Sequence, residues 1–312
     1  MPLKKFSNPP MSSSRYNKLE KLGEGTFCTV FCAQSIKEKE KVIMKLVRLD
    51  QEEDGIPSST LREVSILKTL SHPNIITLRD VICEKSKISL VYDYMDCDLK
   101  RYLDFNKKPI SSALLRSYSY QMLAGTFFLH SNGIIHNNLK PEHLLIDKTG
   151  FLKICDFGCS LMSGHSVCQV DNNLAMLWFK APESILNSPK CDDKIDLWSC
   201  GCIIATLSRG KVLFNGDSII DQIMKILDIF GKPTEEEWPD FHKLINPKIS
   251  FPKEPGKGLK SALPDDIDPL LFDLIQKLLV LNPEKRINAR DALSHPYFND
   301  VPAALVKLCG CC

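Results

Sequence analysis

The residues of this chain best suited to chemistry fall in three short stretches. The first, His136-Asn137-Asn138-Leu139-Lys140-Pro141-Glu142-His143, combines imidazoles, amides and an amine within eight positions. The second is Asp156, in Asp156-Phe157-Gly158 after the strand-like Leu152-Lys153-Ile154; its carboxylate is a hard oxygen ligand suited to Mg²⁺. The third pairs Lys45, on the strand-like run Val42–Val47, with Glu63 on the next helical stretch, where a charge-assisted hydrogen bond would join them. Just upstream, Leu22-Gly23-Glu24-Gly25-Thr26-Phe27-Cys28-Thr29-Val30 has two glycines in a turn, which let backbone come close to a ligand such as phosphate. Alone, that turn reads better as a plain hairpin. Asn138 is an amide, not a proton acceptor at neutral pH, so it does no general-base work. His143 is a poor ligand for Mg²⁺, because imidazole prefers softer metals. A zinc site at His143 would need further ligands, and none stands at suitable spacing.

These groups need elements to hold them. From Tyr16 to about Tyr94 the chain alternates strand-like runs with one helix, Ser59–Leu70, which carries Leu61, Val64, Leu67 and Leu70 near one face. Leu90–Met95 is a further strand. After Asp98 the pattern turns helical over Ser111–Asn132, Lys194–Ser208, Ile219–Phe230 and Asp268–Leu281. Proline and glycine between Asn246 and Pro264 mark an irregular loop. A strand-rich first third followed by a helix-rich remainder predicts two lobes with a cleft between them.

The order and spacing of the motifs resemble the eukaryotic protein kinases, from Leu22 through Lys45, Glu63, the His136 stretch and Asp156 to Ala181-Pro182-Glu183. Gly55-Ile56-Pro57-Ser58-Ser59-Thr60-Leu61-Arg62-Glu63 and Gly216-Asp217-Ser218-Ile219-Ile220-Asp221-Gln222 are similar to the cyclin-dependent kinase branch. Ser71–Ile75, Asp196–Cys202 and Asn282–Arg286 add to the likeness, which covers about Tyr16–Phe298. The resemblance implies an α+β, two-lobed kinase fold with a small antiparallel-sheet lobe, 16–95, and a helical lobe, 96–298. A loose arm, 1–15, would precede it and a cysteine-rich tail, 299–312, would follow.

It also implies roles. ATP and Mg²⁺ are the expected cofactors, bound weakly if at all. Nucleotide would meet Leu22, Gly23, Gly25, Val30, Ile43, Lys45, Glu63, Asp93, Met95 and Leu145, with Tyr92 as gatekeeper and Asp156 as metal ligand. A cyclin-like partner would meet Ile56, Pro57, Leu61 and Arg62, and a small accessory subunit the Gly216–Gln222 region. Arg286 is expected to pair with Glu183.

The pattern fails where a kinase works. Asn138 stands at the catalytic-base position beside Lys140, Asn137 replaces the preceding arginine, and His143 replaces the second metal-binding residue. Met176 stands where a threonine would donate a hydrogen bond. Losing a base alone is worth about 10²–10⁴ in rate. Ile43 replaces a small alanine above adenine and crowds it. Cys28 takes the third glycine position, and Thr26-Phe27 lacks the family's regulatory tyrosine. Asp171 aligns with an activating phosphothreonine, but of the phosphate's arginines only Arg62 survives, Asn137 and Leu161 replacing the others. The expected function is a cyclin-binding regulator or scaffold with lost or very weak phosphotransfer. A slow serine/threonine kinase using the remaining Lys45, Lys140 and Asp156 is the alternative.

The whole chain excludes little else. Its 312 residues, 44% hydrophobic and 25% charged, suit a globular protein, and a net charge of +2 gives no reason to expect nucleic acid. Residues 1–15 have no apolar core of a signal peptide. The 13 cysteines follow no regular frame and read as reduced thiols. The Cys200-Gly201-Cys202 spacing sits in an apolar helical run and is not a metal motif. Cys309, Cys311 and Cys312 can accept lipid and bring the chain to a membrane. The prenylation reading from Cys309 is poor, because Gly310 and Cys311 are not aliphatic, and a plain tail is the alternative. Otherwise a cytoplasmic or nuclear location is expected.

Overall fold

A computed structural model describes residues 15–25, 28–49, 55–84, 86–106, 110–164, 177–189, 192–239, 241–245 and 255–310. The calls on Thr26-Phe27, Asp171, Met176, Cys311, Cys312 and residues 1–14 lie outside these. The chain divides into two compact units: residues up to Ser71 with Ile75–Asp96, and His72–Asn74 with the chain from Cys97 onward.

The first unit is a five-stranded antiparallel sheet of β1 (Tyr16–Glu24), β2 (Cys28–Ser35), β3 (Lys41–Arg48), β4 (Leu78–Glu84) and β5 (Lys87–Asp93), ordered β1-β2-β3-β5-β4. Strand parity sorts its side chains. Ala33, Val42, Met44, Ile82 and Val91 form a buried cluster on one face, with Tyr16 packed against it. Lys45 belongs to the opposite face, in register with Val30 on β2 and Leu90 on β5; Ile43 faces Tyr92 two pairs along, on that same face.

Helix α1 (Ser58–Thr69) completes this unit and buries Thr60, Glu63, Ile66 and Leu67. Of the residues read near one face, Leu67 is buried, Val64 and Leu70 are half-buried, and Leu61 is 53% exposed. The buried carboxylate turns the helix, because Glu63 has partners on the sheet in Lys45 and Tyr92.

The second unit is mainly helical, with α2 (Leu99–Asn106), α3 (Ser112–Ser131), α4 (Pro182–Ile185), α5 (Lys194–Arg209), α6 (Ile219–Phe230), α7 (Phe241–Leu244), α8 (Pro269–Leu278), α9 (Ala289–Leu293) and α10 (Ala303–Leu308). The four long helical stretches read from the sequence coincide with α3, α5, α6 and α8 to within a few residues. Helix α5 is buried from Ile195 to Leu207, as an all-round apolar helix must be. Gly201 lets α8 come close: a Cβ there would meet Leu279 at 2.8 Å and Leu278 at 2.9 Å.

Short strands β6 (Cys97–Asp98), β8 (Leu144–Ile146) and β9 (Leu152–Ile154) form one small sheet; β7 (Ile134–Ile135) pairs with β10 (Leu161–Met162). The β8–β9 hairpin sets Leu144 opposite Ile154, so the residues before β8 meet those after β9.

None of the described cysteines is in a disulfide, and among the described residues no helix is long and apolar enough to cross a membrane. The C-terminal stretch is not a loose tail as far as Gly310. After α10, Cys309 is fully buried and its carbonyl accepts a 2.8 Å hydrogen bond from His72 Nε2. The His72 ring stacks on Phe128 at 4.6 Å. Burial is the main cause lowering the pKa of that imidazole.

Candidate functional site

The candidate residues occur in both units. In the first, Lys45 Nζ meets Glu63 Oε2 at 2.8 Å, and Tyr92 Oη donates to Glu63 Oε1 at 2.8 Å. Glu63 is 3% exposed, so its charge depends on those two donors. The tyrosine hydroxyl was not foreseen: Tyr92 was read only as a gatekeeper. Register supplies the signal, since Lys45 and Tyr92 share a face of adjacent strands. Tyr92→Phe is expected to cost about 1–3 kcal/mol, the penalty for stripping a donor from a buried acceptor. Urea unfolding of the two proteins would measure it.

Around them, Leu22 and Gly23 lie on β1, and nothing stands within 4 Å of a Cβ built at Gly23. Gly25 N–H donates to the Cys28 carbonyl at 2.8 Å, closing the turn. Asp93 Oδ1 accepts from Arg79 Nε at 2.7 Å, and Met95 is buried. On α1, Leu61 and Arg62 are exposed; Pro57 precedes the helix as its N-cap, and Ile56, one residue earlier, is exposed too.

In the second unit the His136–His143 loop runs from β7 to β8 and hangs on Asp196, at the start of α5. This carboxylate is fully buried and accepts from the backbone N–H of His136 and of Asn137, both at 2.8 Å, and from His130 Nε2 at 3.0 Å. Asp196 is the anchor that the sequence reading missed. It had only placed the residue in a helix.

Burial alone would raise the Asp196 pKa, but the His130 contacts and the backbone donors outweigh it and hold it below the usual carboxylate range. A depressed carboxylate stabilises the fold at pH above its unfolded value of about 3.9, and that contribution is lost as pH falls through the folded pKa. The acid-unfolding curve of Asp196→Asn is therefore expected to be shallower than that of the unmodified chain below about pH 4.

Within the loop, Asn137 adopts φ 62°, a left-handed conformation that asparagine tolerates. Lys180 Nζ donates to its carbonyl at 3.2 Å, and its own Nδ2 donates to the Cys159 carbonyl at 3.2 Å. His136 Nδ1 accepts the Asn138 N–H at 3.2 Å, so its proton is on Nε2, which donates to the Cys155 carbonyl at 3.0 Å. Asn138 is 5% exposed, and its Nδ2 has no hydrogen-bond partner among the described residues. Lys140 is half-buried at the start of the short turn Pro141–His143. Leu145 lies on β8 opposite Lys153.

His143 and Asp156 come together. His143 Nδ1 contacts the Asn138 carbonyl at 2.8 Å, and Nε2 contacts Asp156 Oδ2 at 3.0 Å. Burial pushes the imidazole pKa down to about 4, while the Asp156 carboxylate pulls it the other way. Geometry adds a constraint that burial does not remove. The carbonyl only accepts, so Nδ1 must donate to it, and the Nε2–Oδ2 contact then needs a proton between its two atoms. The contact is the same whichever of the two atoms carries that proton. One carboxylate oxygen of Asp156 is thereby engaged, and the sequence reading had not foreseen this pair. Among the described residues, no group of three or more His, Cys, Asp or Glu stands ready to hold a metal ion.

Further from this centre, Glu183 and Arg286 make the expected pair in two-pronged form, Nη1–Oε1 2.7 Å and Nη2–Oε2 3.0 Å. Arg286 also donates to the carbonyls of Val280, Lys194 and Leu281.

The chain matches the family described as Protein kinase domain over residues 16–298. It belongs to that family, and the antiparallel-sheet first unit and helical second unit are the kinase architecture.

Proposed function

We propose that this chain is a catalytically impaired kinase of the cyclin-dependent branch that works by binding a cyclin-like protein. The observation that carries the loss of catalysis is Asn138. It sits buried at the base position with an amide donor where a proton acceptor is required. The reading of partner binding draws on α1. Ile56 is 39% and Leu61 53% exposed at a segment similar to the cyclin-binding motif, so packing within the unit does not use these apolar side chains.

Kinase domains in general bind ATP and Mg²⁺. Here the joined Lys45–Glu63 pair favours a polyphosphate ligand, whereas Ile43 opposes adenine. The Asp156 side does not suit Mg²⁺, because its carboxylate is engaged by His143. A small accessory subunit is a second candidate partner at Gly216–Gln222, where Ile219 and Ile220 are exposed.

Two assays on the purified chain test the reading. Radiolabelled phosphate transfer, with and without cyclins, in Mg²⁺ and Mn²⁺, is expected to stay at the blank. Transfer that disappears in Asp156→Ala would sink the binding-only reading in favour of a slow serine/threonine kinase. Cyclin capture is expected to be lost in Leu61→Asp; no capture of any cyclin by the unmodified chain would remove the partner from the proposal.

A further inference from the structure

We infer that His143 is an internal stopper for the cation position at Asp156: this chain takes up no divalent metal there, and any polyphosphate it binds, it binds metal-free. The inference rests on the reading above.

The ring is fixed from several directions. Its Nδ1 is tied to the Asn138 carbonyl at 2.8 Å. Its backbone N–H donates to the Lys140 carbonyl at 2.9 Å, and its own carbonyl accepts from Cys155 N–H at 3.0 Å. The side chain is 13% exposed. Nε2 therefore cannot swing away from Asp156 without breaking the Asn138 bond.

A Mg²⁺ bound to Oδ2 would sit at about 2.1 Å and needs near-octahedral oxygen ligands. With Nε2 at 3.0 Å from that oxygen, a cation on that side would overlap the ring. Nor do the residues make an alternative site for a softer ion, because one imidazole and one carboxylate fall short of the usual zinc set and no third ligand stands near among the described residues.

The test uses the full chain and Mn²⁺ as a paramagnetic probe, alone and then with ATP. The unmodified chain is expected to leave the free-Mn²⁺ signal where buffer alone, or ATP alone, sets it, and a fluorescent ATP analogue, where it binds, to bind equally in EDTA and in Mg²⁺. His143→Asn should gain Mn²⁺ uptake by about 10–100-fold in affinity, and Asp156→Ala in that background should abolish it. Should His143→Asn not fold, His143→Gln and the comparison of the unmodified chain with Asp156→Ala decide.

Mn²⁺ uptake by the unmodified chain that vanishes in Asp156→Ala would overturn the inference. So would no gain in a folded His143→Asn protein, or zinc uptake lost in His143→Ala. Phosphotransfer without Mn²⁺ uptake would sink the binding-only reading and leave the stopper standing; Mn²⁺ uptake without transfer would do the reverse.

Discussion

Arg286→Ala should lower the unfolding free energy by about 3–5 kcal/mol, the cost of leaving a buried charge without its partner. Both partners are almost wholly enclosed, Glu183 at 0% and Arg286 at 2% exposure. The alanine would strip the Glu183 carboxylate of two charged donors and leave the carbonyls of Lys194 and Val280 without the guanidinium. It would also remove the cation packed over the Trp198 ring at 5.1 Å. A loss of that size is a large share of the about 5–15 kcal/mol that holds a typical domain. The midpoint of guanidinium unfolding checks it. A double change to apolar residues, Glu183→Leu with Arg286→Met, should recover much of the loss, because no charge then remains buried. A single variant within about 1 kcal/mol of the unmodified chain would show that the pair contributes little.

The second large effect concerns catalysis. Asn138→Asp combined with His143→Asn should bring phosphate transfer up from the blank. The carboxylate restores a base, worth about 10²–10⁴ in rate, and the asparagine frees Asp156 for metal. The two changes should act as a unit, each alone giving far less than its share. Asn138→Asp also removes an amide donor that has no acceptor, so no existing hydrogen bond of that side chain is broken. Circular dichroism and the melting curve check that the fold survives, and radiolabel transfer reads the gain. If the unmodified chain already transfers as fast as the double variant, the loss of the base is not what limits it.

Much of the frame can be read in the residues themselves. Alternation along Val42–Val47 and the helical period of α3, α5, α6 and α8 mark the elements because each has a face, or a whole surface, to bury. The Glu183–Arg286 pair was readable because its members carry opposite charge in motifs of known order. The failures share a cause. Leu61 was grouped on one face with Val64, Leu67 and Leu70 by helical spacing, which does not say which residue of the helix turns inward. Here Glu63 takes the inward position, since Lys45 and Tyr92 on two strands satisfy it. Hydrophobic periodicity is blind to a buried carboxylate whose partners come from another element.

The His143–Asp156 contact was hidden for a related reason. His143 was weighed as a ligand, one residue at a time, when what mattered was its position on a hairpin. Leu144 opposite Ile154 carries the register one step out to His143 and Cys155, with Asp156 next in line. Composition shows none of this; pairing of β8 with β9 shows it at once. Asp196 escaped because its partners are mostly backbone N–H groups, which leave no mark in a sequence.

The matched family region stops at residue 298, but the folded chain does not. An expression fragment trimmed at that boundary would lack the Cys309 carbonyl that caps His72, and would open the imidazole stacked on Phe128 to water. Fragments for crystallisation or labelling are better ended beyond Gly310, and a fluorophore or affinity handle belongs outside the last helical turn. A thiol-directed dye would find Cys309 shielded in the intact fold and reachable once that turn is peeled away, which makes the residue a reporter of whether this end of the molecule is in place.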